Sequence, residues 1–381
     1  MSKTERLILT ILTIIAIILA GLFFWFYQTK WKQPLGPSLR KSISTPFGMP
    51  PTWTPEANAT NTPHSTLEPN SVANASSTPS SAVCGERDPM FILVIGSDTR
   101  ADTYLYGLAD VMRLVRVDFT NPKVTVLEIP RDLWVEIPDI ADNLKGQDHE
   151  KLNQAYLYGN PGFGYTDDPA GGPGLLTRTL NLNFGTQIDH YIAVNMRTFT
   201  KIVDALDGID VTLPKAVDGR TPDDMDDRLL FPQGTHHLNG TQALTLARIR
   251  INGTFSRADN QDRVLCALRN KLTSPEIIEH IPSLIQSFRG VVQTSLSPEE
   301  ISQIACLSTQ VQPQNIQFAS FPQEYFEQGR TYDPVFKKSV FTWDVDFDIL
   351  RDYIQQFNSG QWPHIIIVNH PQQESETHIC Q

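Results

Sequence analysis

Asp98 and Asp110, twelve residues apart in Ile95-Gly96-Ser97-Asp98 and Ala109-Asp110-Val111, are followed by the cations Arg131, Lys151, Arg248, Arg250 and Arg257. Carboxylate oxygens suit a hard divalent ion such as Mg2+. Arginine forks and a lysine point charge neutralise the phosphoryl oxygens that such an ion leaves uncovered. Together they have the chemistry of a magnesium-bound pyrophosphate. The chain carries 31 Lys+Arg against 42 Asp+Glu, a net charge of -11. It therefore offers no electrostatic footprint for nucleic acid, and the cations must serve something local.

These residues need elements to hold them. Met90 to Ile95 reads as a buried strand that ends in Gly-Ser-Asp, and the carboxyl ends of strands in open sheets form ligand crevices. Asp110 opens the next strand, since Val111 to Val117 and Lys123 to Ile129 read as a pair turning at Asn121-Pro122. Pro130 forces an extended exit that presents Arg131 at the sheet margin. Lys151 opens a helix over Lys151 to Tyr158, where the dipole mildly disfavours it. Arg248 and Arg250 share one face of an extended segment, with Ile249 and Ile251 on the other. Arg257 and Gln261 lie four apart on one helical face and reach toward that helix's start. Taken singly, each is also readable as an ordinary turn, edge or surface charge. His190 reads as a satisfied core residue and His236-His237 as loop. There is no Walker loop, nucleophile elbow or H-E-x-x-H.

Further helices are expected at Leu175 to Leu182, Thr198 to Leu206, Thr241 to Ala247, Arg257 to Leu272 and Pro298 to Leu307, with strands at His190 to Asn195 and Ile209 to Leu213. Interleaved strands and helices imply an α/β/α sandwich around a mixed sheet. Leu7 to Tyr27 has no charge and an aromatic end, and reads as a single transmembrane anchor behind a six-residue tail. Residues 28–83, rich in Pro, Ser and Thr, read as a disordered extracytoplasmic linker that leaves the body free to move. The domain proper is expected over 84–310, with 311–381 as an extension packed on it. Cys84, Cys266, Cys306 and Cys380 allow three pairings. Outside the membrane, Cys84–Cys380 and Cys266–Cys306 are favoured over four buried thiols.

Eight stretches, taken in order, resemble the LytR-CpsA-Psr family of bacterial cell-envelope proteins over roughly Met90 to Leu272. They are Gly96-Ser97-Asp98, Ala109-Asp110-Val111-Met112, Ile129-Pro130-Arg131-Asp132, Lys151-Leu152-Asn153, Asp189-His190-Tyr191, Val203 to Val211, Leu238 to Leu244, and Ala247-Arg248-Ile249-Arg250. The resemblance implies a single-span enzyme of the cell membrane with its catalytic domain outside. Such an enzyme would move a glycopolymer from a polyprenyl-pyrophosphate carrier to peptidoglycan or a related acceptor. It makes Asp98 and Asp110 the Mg2+ ligands. Arg131, Lys151, Arg248, Arg250, Arg257 and Gln261 become pyrophosphate contacts, with Asp98 as base and Arg131 as the second catalytic group.

The chain departs from the family pattern in three places. Leu108 stands where a further arginine is usual, and Thr254 and Asn260 replace the aspartate and second arginine of D-F-G-R-x-x-R-Q. These departures motivate two alternatives, a polyprenyl-phosphate binding protein without turnover and a lipid pyrophosphatase that uses water.

Overall fold

The computed structural model describes residues 3–40, 84–85, 88–99, 103–163, 165–166, 168–249, 254–274, 276, 290–363 and 377–379. The first helix, α1 (Lys3–Phe26), continues as a π-helical turn over Tyr27–Trp31. Its side chains from Leu12 to Trp25 are exposed. Leu12–Trp31 is long and apolar enough to cross a bilayer.

The body begins with three strands, β1 (Met90–Ser97), β2 (Ala109–Asp118) and β3 (Lys123–Glu128). A short hairpin, β4 (Trp134–Glu136) and β5 (His149–Lys151), leads into α2 (Leu152–Gly159) and α3 (Gly172–Phe184). Then come β6 (His190–Asn195), α4 (Met196–Ala205), β7 (Ile209–Leu213), β8 (Val217–Asp218), β9 (Leu230–Phe231) and β10 (Gly234–Leu238). Helices α5 (Gly240–Arg248) and α6 (Thr254–Leu272) follow. The remainder is β11 (Gln293–Thr294), α7 (Pro298–Gln310), β12 (Ile316–Ala319), β13 (Glu327–Asp333), β14 (Lys338–Asp344), α8 (Phe347–Ser359) and β15 (Thr377–Ile379).

Seven strands form the central sheet in the order β11-β6-β1-β2-β3-β12-β15. The β1–β2–β3 meander is antiparallel, while β6 and β12 join it in parallel. Period-two alternation sends Phe91, Leu93 and Ile95 of β1 to a core under α2, α3 and α8, and Met90 and Ile92 to a second core under α7. The result is the expected α/β/α sandwich with a mixed sheet. A third core joins α4, α5 and α6 to the β7–β10 hairpin.

Four expectations are corrected here. The segment from Val311 does not merely lie on the domain: β12 pairs with β3 inside the sheet, and Leu350, Ile354 and Phe357 of α8 enter the first core. The chain after α1 does not begin a free linker, because Leu39 is 9% exposed and belongs to that same core. His236 and His237 lie in strand β10, where their partners in β7 are Val211 and Asp210, so they are not in a loop. The cysteine pairing also differs.

Cys84 is bonded to Cys306 on α7, and Cys266 is also in a disulfide; Cys380 lies outside the described residues. Both favoured pairings therefore fail. The expectation bracketed the body by its sequence ends, whereas Cys84 packs beside α7 in the second core. Non-reducing peptide mapping is expected to recover Cys84 joined to Cys306, and Cys266 joined to the one cysteine remaining. Reduction should lower stability by roughly 2–5 kcal/mol, mainly by releasing the unfolded chain. Recovery of Cys84 linked to Cys380 would refute the assignment.

Candidate functional site

Strand register builds the site. Gly96 pairs with Val111 but Ser97 pairs with Ala109, so Asp110 is the extra residue of a β-bulge and its side chain is re-aimed at the sheet's end. Only glycine fits opposite, since a Cβ on residue 96 would lie 2.9 Å from the Val111 Cβ. Asp98 follows β1 directly. Its backbone N–H donates to the Leu108 carbonyl at 3.1 Å, and its Oδ1 accepts the Leu108 N–H at 2.7 Å. That pair of bonds closes the loop from Asp98 to Leu108.

Arg131 lies just past β3, on the turn that Ile129-Pro130 creates. Its guanidinium pairs with the Asp110 carboxylate and, through Nε at 3.3 Å, with Asp132 Oδ2. Lys151 donates to the other oxygen of Asp132 at 2.5 Å. Asp132 is 4% exposed, so a single buried carboxylate holds both cations. Arg257 donates to the Asp110 backbone carbonyl at 3.3 Å. Asp110, Arg131, Lys151 and Arg257 are thus gathered at one sheet end, beside Asp98.

Two expected placements change. Lys151 is not the first residue of a helix: it ends β5 and caps α2 with extended backbone, which removes the apparent conflict with the helix dipole. Arg248 is not in an extended segment but in the last turn of α5, exposed, where the dipole favours a cation. Arg250 lies outside the described residues. Helix α6 starts at Thr254, three residues before Arg257. Gln261 sits one turn beyond Arg257, accepts from Arg113 at 3.2 Å and donates to the Ala247 carbonyl at 3.3 Å, tying α5 to α6.

Asp132 and Arg113 were not singled out from sequence. Arg113 is 1% exposed. It reaches from β2 to Asp262 at 3.0 Å and Glu128 at 3.7 Å, as well as to Gln261. Burial pushes the Glu128 carboxyl above the usual range, against the pull of Arg113. The readable signal was an arginine at the same strand parity as Val115 and Val117.

Donor chemistry at Asp98 and Asp110 fits a hard cation. Among the described residues, Asp98 Oδ2 and Asp110 Oδ2 accept no hydrogen bond, and Mg2+ commonly takes one or two carboxylates while water and phosphate complete its shell. No group of three or more His, Cys, Asp or Glu forms an all-protein cage among the described residues.

Next to Lys151, Glu150 is fully buried, hydrogen-bonded by Gln154 at 3.1 Å, and faces the equally buried Asp333. Burial, and then Asp333, push its carboxyl up to about 8 from 4.5. The folded state therefore keeps a proton that the unfolded chain releases. This stability is complete below about pH 4.5 and declines as pH rises through 8, by at most about 1.4 kcal/mol per unit. Denaturant titrations from about pH 5 to about pH 9 should show this decline, and Glu150→Gln should flatten it. Identical slopes would remove Glu150 as its source.

The family model for LytR_cpsA_psr matches residues 56–343. The polyisoprenyl-teichoic acid–peptidoglycan teichoic acid transferase TagU of Oceanobacillus iheyensis is 31% identical over 219 residues, 57% of this chain and 62% of that protein. TagV of Bacillus subtilis, with the same designation, is 28% identical over 214 residues, 55% and 51% of the two chains. Regulatory protein MsrR of Staphylococcus aureus is 28% identical over 216 residues, 56% of this chain and 58% of that one. The matched segment spans between about half and three-fifths of these relatives' length. Among solved structures, B. subtilis TagV superposes with a TM-score of 0.54 at 24% identity, covering 73% of this chain and all of that one. TagT bound to LIIa-WTA gives 0.53 at 21%, covering 76% and 100%. These likenesses extend the shared fold beyond the eight sequence stretches. The chain belongs to the LytR-CpsA-Psr family.

Proposed function

We propose that this protein is a membrane-anchored phosphotransferase of the bacterial envelope. It moves a glycopolymer from a polyprenyl-pyrophosphate carrier to peptidoglycan or a related acceptor, outside the cytoplasmic membrane and with Mg2+. The observation that carries the reading is the ladder Asp110–Arg131–Asp132–Lys151 at the sheet end beside Asp98. Relatives named as teichoic acid transferases support it.

In this reading an acceptor hydroxyl attacks the glycan-side phosphorus. A new phosphodiester forms, the bond to the bridging oxygen breaks, and polyprenyl phosphate leaves with the electron pair. In this reading Asp98 takes the hydroxyl proton on Oδ2 or would hold the metal with it. Bound Mg2+ would supply charge neutralisation at the pyrophosphate. Arg131 and Lys151, held by Asp132, are oriented before the ligand arrives and meet the charge that grows on the leaving group. Arg257, which donates to the Asp110 carbonyl, adds a third cation and Gln261 supports it from behind, while Arg248 and Arg250 would be further pyrophosphate contacts by the family resemblance.

Gln261 being engaged on both sides of its amide, together with Leu108, Thr254 and Asn260, favours the second reading of a lipid-phosphate binder without turnover. Purified full-length protein, incubated with a lipid-pyrophosphate glycan donor, an acceptor glycan and Mg2+, separates the possibilities. Transfer to the acceptor supports the proposal, release of glycan phosphate to water favours a pyrophosphatase, and binding with no product favours the binder.

A further inference from the structure

We infer that residues 33–39 form a fitted strap that clamps the folded body to its own membrane helix. The strap fixes the height and orientation of the candidate site over a lipid surface, and it deepens the phosphotransferase reading wherever it concerns the donor. At the end of the apolar span, the Tyr27 hydroxyl donates to Glu299 on α7 at 3.0 Å. Leu35 N–H donates to the Leu296 carbonyl at 3.0 Å, and the Pro37 carbonyl accepts the Tyr191 hydroxyl at 3.1 Å. Gly36 passes so close to β11 that a Cβ there would lie 2.7 Å from the Thr294 carbonyl oxygen. Leu39 then enters the core cluster that contains Tyr104, Tyr156 and Tyr191. Pro34 and Pro37 restrict the unfolded strap, which lowers the entropy lost on docking.

The same edge of the body bears on the site. The Tyr104 hydroxyl, from the loop between Asp98 and Leu108, lies 2.6 Å from the Val291 carbonyl and 3.1 Å from that of Ala193. The Tyr156 hydroxyl reaches Gln293 at 3.3 Å. Strap, β11 edge and the Asp98 loop therefore pack in series. Leu39, before residues 41–83, and Cys84, after them, both sit on the body, and Cys84 is bonded to α7. The strap lies between the membrane helix and Leu39, so the length of 41–83 does not set the distance from membrane to site. A lipid-linked donor carries its pyrophosphate at headgroup level, so a site held at fixed height meets it without a search, in the manner of pre-oriented reactants.

The test uses full-length protein in lipid vesicles, with hydrogen exchange and two donors, one long-chain and embedded in the vesicle, one short-chain and soluble. The Leu35 amide is expected to be protected from exchange in the parent and unprotected in Gly36→Val, whose added side chain meets the Thr294 carbonyl. Gly36→Val should lower transfer from the embedded donor about tenfold, an energy of about 1.4 kcal/mol, and leave the soluble donor within about twofold. Tyr191→Phe, which removes only the hydroxyl, should act in the same direction, and serves if Gly36→Val fails to fold. Deleting 51–75 should change neither protection nor transfer. Three results would overturn the strap's role: an unprotected Leu35 amide in the parent, equal losses on both donors, or a harmful deletion beside a harmless Gly36→Val. If the parent transfers from neither donor, the phosphotransferase reading falls, and the exchange result decides the strap alone.

Discussion

Arg113→Met is expected to destabilise the fold by roughly 3–5 kcal/mol, the scale of removing one partner from a buried ion pair. Arg113 is fully enclosed between β2 and α6, where it faces Asp262 and Glu128 and donates to Gln261. Methionine fills much of the same volume, so the loss is electrostatic rather than a cavity. Glu128 already resists ionisation through burial, which leaves Asp262 as the charge that suffers most. The double change Arg113→Met with Asp262→Leu should recover most of the stability, because replacing a buried pair by apolar groups is often neutral. In the folded fraction of the single mutant, α6 is less firmly held to β2, so the Arg257 contact with Asp110 should loosen and turnover should fall further than stability alone accounts for. Denaturant curves and activity on both variants decide it. A single mutant within about 1 kcal/mol of the parent would show that the network is not structural.

Much of the sandwich was legible because its strands and helices are locally consistent. Met90 to Ile95 has the length and composition of a buried strand, and β2 and β3 meet around Asn121-Pro122 as turn chemistry requires. What was illegible depended on the third dimension. The strand Ile316–Ala319 is too short to announce that it pairs with β3, and Asn315 lies 193 positions after Pro122, whose carbonyl it bonds. Pro34 to Leu39 has the composition of a linker, yet two hydrogen bonds, the close approach of Gly36 to Thr294 and one buried leucine seat it on the body.

The same division holds at the site. Asp98, Asp110 and Arg131 were readable as residue types at strand ends and Lys151 at an expected helix start, and the structure links Asp110, Arg131 and Lys151 through Asp132, with Asp98 closing the loop to Leu108. Asp132 was readable only as a neighbour of Arg131, since nothing in the sequence says that its carboxylate is buried and shared with a lysine nineteen positions later. Lys151 looked misplaced at a helix start because the three-residue strand that ends there is below the length at which period-two patterning can be seen.

Arg131→Lys is expected to lower turnover by about a hundredfold or more, the scale of removing a preorganised donor from a phosphoryl or oxyanion site. One guanidinium bridges two carboxylates, its NH1 facing Asp110 while its Nε faces Asp132, and Lys151 already occupies the other Asp132 oxygen. A lysine ammonium has the charge but not the planar fork, so it cannot hold both partners and still offer donors to a phosphoryl group. In the free protein Asp110 and Arg131 neutralise each other. On the proposed function, an arriving pyrophosphate and its cation would give each a new partner, and the pair could part without leaving a charge uncompensated. This exchange separates the roles of the two residues. Asp110→Asn should raise the Mg2+ concentration needed for half-maximal turnover, because it removes an anionic ligand. Arg131→Lys should lower turnover at saturating Mg2+ without raising that requirement. Asp132→Asn should loosen Arg131 and Lys151 together, and so resemble Arg131→Lys rather than Asp110→Asn. Mg2+ titrations of transfer by the three variants test the assignment. A shifted metal requirement in Arg131→Lys, or none in Asp110→Asn, would show that the ladder is an ion-pair network of the fold and that the pyrophosphate lies elsewhere.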